Sequence, residues 1–115
     1  YKVYLNKSQK LGGNMASVEK RDELINELFD TILRLETRED CAALFDDLLT
    51  YNELTQMAQR IRAAKLLLEG KTYSQIIAET EISSATLSRV SRCVNRGSGG
   101  YRKFVNAKTK NKEDI

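Results

Sequence analysis

The sequence predicts an all-α fold, and three observations carry that prediction. The 115 residues include no Pro, no Trp and only six Gly, with few β-branched runs, a composition that favours helices over strands. Apolar residues recur at helical spacing along most of the chain. Hydroxyl residues followed three positions later by Glu or Gln punctuate it as helix starts.

Length bounds the rest. One small domain is expected over residues 17–107, with a core modest enough for oligomerisation to help it. Residues 1–16 read as a disordered leader or a non-native segment, with Met15 near a natural start, or else as a flexible arm; residues 108–115 read as a charged tail. No apolar run is long enough to cross a membrane and no secretory leader is recognisable, so a cytoplasmic protein is expected. Cys41 and Cys93 are not spaced as a metal pair and read as free thiols in a reducing compartment. The chain has no His, which removes the commonest general base and the commonest metal ligand. No catalytic set and no metal site is assembled, and the chain is read as a non-enzyme.

The first helix is expected from Val18, where Leu24, Ile25, Leu28, Phe29, Ile32, Leu33 and Leu35 form a stripe wider than one-sided packing requires. Thr37 is the expected N-cap of a second helix with Glu39 and Asp40 in its first turn, where the helix dipole favours acids. Its expected buried set is Cys41, Ala42, Leu44, Phe45, Leu48 and Leu49. Thr50 and Glu53 form a capping box that opens a long helix. That helix carries Leu54, Met57, Ala58, Ile61, Ala64, Leu67 and Leu68 on one side and closes at Gly70. Thr72 and Gln75 form a second capping box, and the short helix after it ends near Thr80-Glu81. Ser83 caps the next helix, which runs to Asn95 or Arg96 and stops at Gly97. A last helical piece is expected from Tyr101 to about Ala107.

Residues 72–96 thus read as a helix-turn-helix, a unit that presents its second helix to the major groove of DNA. Ile76, Thr80, Ile82, Leu87 and Val90 fall where its internal contacts belong. Two positions depart from the common pattern. Ile77 stands where a small residue is usual, and Glu81 stands where the turn usually takes Gly, a left-handed conformation costing about 1 kcal/mol. The candidate DNA contacts are Tyr73 and Ser74 at the start of the first helix, and Ser83, Ser84, Ala85, Ser88, Arg92 and Arg96 on the second. Short side chains let a backbone approach base edges, while hydroxyls and arginines supply donors to bases and phosphates. No acid occurs from Ile82 to Tyr101. The charge also divides: residues 16–50 carry a balance of −6 and residues 51–105 a balance of +5, as expected if only one half meets a polyanion. The competing reading of 72–96 is an ordinary helical hairpin with no DNA role.

Thr50, the segment Gln59-Arg60-Ile61-Arg62 leading to Leu67-Leu68-Glu69-Gly70, and Ala85-Thr86-Leu87-Ser88-Arg89 together resemble the Trp repressor superfamily in order and spacing. Phe45-Asp46-Asp47-Leu48-Leu49-Thr50, Ala58-Gln59-Arg60 and Ser88-Arg89-Val90-Ser91-Arg92-Cys93, with Gly97 and Tyr101, look closer still to the Trp-repressor-like YerC/YecD type of small bacterial proteins. The resemblance spans about residues 18–105. It implies a six-helix fold in an intertwined homodimer whose two readers lie on one face, with Ala85 and Ser88 matching positions that meet the operator. It also implies an effector pocket at Thr50, Arg60, Arg89, Val90 and Cys93, in which the two arginines flank a ligand. Val90 stands where the repressor has a Gly against the indole, and Cys93 where it has a Ser holding the ligand's amino group. Both departures argue against L-tryptophan, leaving another small anionic co-effector or none.

The function expected from the sequence is a sequence-specific DNA-binding transcriptional regulator, a repressor, with double-stranded DNA and a second copy of itself as partners and no membrane role. The alternative is a dimeric helical module that regulates a partner protein without specific DNA binding.

Overall fold

Six helices and no strand make up the described residues, 15–108, of the computed structural model: α1 (Met15–Ile32), α2 (Arg38–Leu48), α3 (Tyr51–Leu68), α4 (Tyr73–Thr80), α5 (Ser84–Arg96) and α6 (Gly100–Phe104). The leader up to Asn14 and the tail beyond Lys108 lie outside the described residues. Contacts divide the chain between Phe45 and Asp46. The first unit holds α1 and most of α2, and the second holds α3 to α6.

α1 starts at Met15, three residues ahead of Val18, and stops at Ile32 rather than running to Leu35. The Leu35 N–H bonds back only three residues, to the Ile32 carbonyl, the tight geometry of a fraying end. Leu24 and Leu33 stay 65% and 77% exposed and Leu28 is also exposed, while Ile25, Phe29, Ile32 and Leu35 are half-buried, so the wide stripe is only partly covered. α2 opens on a reciprocal cap. The Asp40 N–H donates to Thr37 Oγ1 at 3.0 Å, while Asp40 Oδ2 accepts from the N–H groups of Glu36 at 3.0 Å and Thr37 at 3.2 Å. These donors, that of Glu36 foremost, hold the Asp40 carboxyl below the usual carboxylate range. The buried set expected on α2 is not buried: Cys41, Leu44, Phe45 and Leu49 are half-buried, and Ala42 and Leu48 are exposed.

α3 begins on the expected box, with Glu53 N–H on Thr50 Oγ1 at 3.1 Å and Thr50 N–H on Glu53 Oε1 at 2.9 Å. That backbone donor lowers the Glu53 pKa from its ordinary value. Only the C-terminal half of α3 enters the core, through Ala63, Ala64 and Leu66; Leu67 and Leu68 pack at its edge. Leu54, Met57, Ala58 and Ile61, expected on the packed side, are exposed. α5 packs against α3, and Ala63 and Ala64, buried in one core with Leu87, Val90 and Val94, let the helix axes approach closely there. α3 ends in a Schellman motif, with the Gly70 N–H on the Leu67 carbonyl and the Lys71 N–H on the Leu66 carbonyl. Gly70 supplies the φ of +86° that this ending needs.

The core of the second unit joins Ala63, Ala64 and Leu66 to Ile76, Ile82, Leu87, Val90 and Val94, with Ile77 and Tyr101 packed against it. Burying Ile76, Leu87 and Val90 contributes on the order of 1.5–3 kcal/mol each. α6 is shorter than expected, since Val105 turns extended at φ −79°, ψ 128° to pack against the core instead of continuing the helix to Ala107.

Candidate nucleic-acid interface

α4 and α5 are fixed by their ends. Thr72 and Gln75 cap α4 reciprocally at 3.2 and 2.9 Å, which leaves Tyr73 and Ser74 exposed as its first two residues. Glu81 ends α4 in the left-handed region at φ 61°, ψ 19°, as the turn chemistry requires, and its N–H donates to the Ile77 carbonyl at 2.9 Å. Thr80 ties the turn together. Its hydroxyl donates to the Ile76 carbonyl at 2.7 Å and accepts from the Ile82 N–H at 3.2 Å. Its carbonyl accepts from Gln59 Nε2 of α3 at 3.1 Å.

Ser83 is the N-cap of α5. Its Oγ accepts from the Thr86 N–H at 3.2 Å and donates to Thr86 Oγ1 at 2.9 Å, so this hydroxyl is engaged in holding the helix. Ser84 and Ala85 follow as the first helical residues, both exposed, where backbone N–H groups have no intrahelical acceptor. One side of α5 buries Leu87, Val90 and Val94. The other exposes Ser84, Ala85, Ser88, Arg89, Arg92, Asn95 and Arg96. No acid lies on this helix, so the exposed face is cationic along its second half. Gly97 closes α5, and a Cβ there would collide with the carbonyl oxygen of Cys93 and lie 2.9 Å from its Cα.

Between the start of α4 and the second half of α5 runs an open concavity of about 860 Å³. It brings together Tyr73, Ser88, Arg92 and Arg96 from the expected contacts, and adds Ser91 and Asn95. The residues expected around an effector differ in their surroundings. The Thr50 hydroxyl is engaged in the α3 cap, Arg60 and Arg89 are exposed, and Val90 is 2% exposed inside the core. Cys93 is half-buried and lines both this concavity and an apolar one of about 500 Å³ with Ile61, Tyr101 and Phe104. Neither Arg60 nor Arg89 lines those two cavities.

Two positioning contacts had not been expected from the sequence: Gln59 on the turn, and Arg102, whose Nε donates to the Val94 carbonyl at 2.8 Å. Each is a long polar side chain, Gln59 one turn ahead of the buried Ala63 and Arg102 next to Tyr101, with no partner evident until the fold is known.

Comparison with known proteins agrees with this architecture. The family model described as Trp repressor protein matches residues 23–109. The uncharacterised protein YerC of Bacillus subtilis (strain 168) is 47% identical over 81 residues, covering 70% of this chain and 78% of that protein. A crystal structure of a Staphylococcus aureus protein described as a candidate Trp repressor superposes with a TM-score of 0.70 at 37% identity, over 90% of this chain and 99% of that one. A TrpR-like protein from Eubacterium eligens ATCC 27750 gives a TM-score of 0.69 at 38% identity, over 70% and 84% of the two chains. Two helices capped at their starts around a tight turn, the second without acids, and a family match over most of the described residues lead to one assignment: this chain belongs to the Trp repressor family.

Proposed function

We propose that the protein is a homodimeric, sequence-specific DNA-binding regulator of transcription, acting as a repressor, with α5 as its reader. The observation that carries this reading is the division of α5 into a buried face and an exposed one bearing Ser84, Ala85, Ser88, Arg92 and Arg96 with no acid among them. Small residues at the helix start suit close approach to base edges, and the arginines further along suit phosphates. The exposed apolar residues of α1, α2 and the first half of α3 support a second copy as the partner that covers them.

The test is selection of bound sites from a random DNA pool, followed by titration of the selected site at several salt concentrations. Ser88→Ala is expected to change the preferred sequence by about 1–3 kcal/mol of discrimination. Arg92→Ala is expected to weaken all sequences alike and to reduce the salt slope by about one. A wild-type protein with no preferred site and a flat salt dependence would favour the protein-interaction module instead. Sedimentation of the wild type tests the dimer, and a stable, folded monomer of Leu28→Asp would count against an intertwined architecture.

A further inference from the structure

We infer that Gln59 is a positioning residue for the reader: its side chain transmits the placement of α3 to the turn that aims α5. The inference rests on the reading of α5 as the DNA reader and adds to it the point from which the angle of α5 is set.

Three features converge on this side chain. First, the bond from Gln59 Nε2 to the Thr80 carbonyl spans 21 residues and is made by a half-buried side chain, so it is a tie between helices and not a local cap. Second, its acceptor sits at the pivot. Thr80 is the last residue of α4, Glu81 after it takes the left-handed conformation, and Ile82 then enters the core ahead of the α5 cap. With its hydroxyl already bonded at both Ile76 and Ile82, Thr80 links α4 to the approach to α5, and Gln59 links Thr80 to α3. Third, α3 carries the surfaces through which a signal would enter. Leu54, Met57 and Ile61 are exposed on it, and Arg60 stands beside Gln59. A rotation of α3 that leaves Ala63 and Ala64 packed still moves the amide of Gln59, and the turn must follow it or lose the bond.

Removing the donor while keeping the volume isolates this role, and Gln59→Met does that. The expected result is a loss of about tenfold in affinity for the selected site, the scale of one hydrogen bond, with non-specific affinity and salt slope unchanged within about twofold. A general loss of folding would instead weaken specific and non-specific binding together. Hydrogen exchange supplies a readout independent of DNA: the Glu81 and Ile82 amides are expected to exchange about tenfold faster in Gln59→Met, while Leu67 in α3 keeps its protection. Gln59→Glu, with a carboxylate facing the carbonyl, is expected to lose at least as much as Gln59→Met. Unchanged specific affinity in a wild-type-like background overturns the inference and leaves the DNA reading intact. Absence of any selected site for the wild type refutes the DNA reading, and unchanged exchange at Glu81 and Ile82 refutes the role of Gln59.

Discussion

Arg102 donates through Nε to the carbonyl oxygen of Val94 at 2.8 Å, so the short α6 holds the last turn of α5. The carbonyls of a last helical turn lack intrahelical donors, and a guanidinium there also meets the negative end of the helix dipole. Arg102→Ala is expected to destabilise the fold by about 1–2 kcal/mol and to speed exchange of the Arg96 and Gly97 amides. Unaltered exchange at the end of α5 would show that α6 packing alone holds it.

Glu81 is the sole non-glycine residue with positive φ among the described residues. Its side chain is exposed and makes no packing contribution that Gly would forfeit. Glu81→Gly is therefore expected to stabilise the fold by up to about 1 kcal/mol, seen as a melting temperature a few degrees higher. A lower melting temperature would mean that the entropy Gly adds to the unfolded chain outweighs the relieved strain.

Asp40 and Glu53 both carry folded pKa values below the ordinary ones, because each carboxylate accepts backbone N–H groups at its own helix start. A lowered folded pKa adds stability that is fully present above the unfolded value and lost as pH falls through the folded one. Melts between about pH 5 and pH 2 are expected to show that loss, and Asp40→Asn with Glu53→Gln is expected to make the acid dependence shallower. Curves of equal steepness for the variant and the wild type would contradict the assignment.

Val90 is expected to exclude L-tryptophan as an effector, since a branched side chain occupies the position where the resembling repressor has a glycine. Calorimetry with L-tryptophan should detect no micromolar binding, and micromolar binding would overturn the expectation. Val90→Gly with Cys93→Ser should gain affinity for indole-bearing ligands, but truncating a core residue that is 2% exposed costs about 3 kcal/mol. The measurement therefore belongs at low temperature, with folding checked first.

The parts of this fold that could be read from the sequence are those set by local chemistry. Thr50, Thr72 and Ser83 announce their helices because a cap needs only its own next few residues, and Glu81 announces its strain because of its place in the turn. On α3 the expected side holds at Ala64, Leu67 and Leu68 and fails at Leu54, Met57, Ala58 and Ile61, because periodicity reports which residues are apolar, not where a second helix packs. Ala63 is fully buried there, and small residues add little to an apolar stripe. The extent of burial on α2 differs for a related reason, since an amphipathic pattern does not say what supplies the covering surface. The contacts of Gln59 and Arg102 are not legible in the sequence because their acceptors are carbonyls, which every residue has.

The joint between α3 and α4 has no slack. Four successive amides are each engaged: Glu69 with the Lys65 carbonyl, Gly70 with Leu67, Lys71 with Leu66, and Thr72 with Gln75 Oε1. An inserted residue would have to undo either the ending of one helix or the beginning of the next, and a deleted one would undo both. Length is thus as constrained here as residue identity is in the core, although most of the segment is solvent-exposed. Descendants of this chain that keep the α4–α5 pair should tolerate substitution at the exposed Lys71, Tyr73 and Ser74 but not a change in the number of residues between Leu66 and Gln75. Growth or shortening of the chain is expected instead around Ser98 and Gly99, where no such run of engaged amides stands in the way.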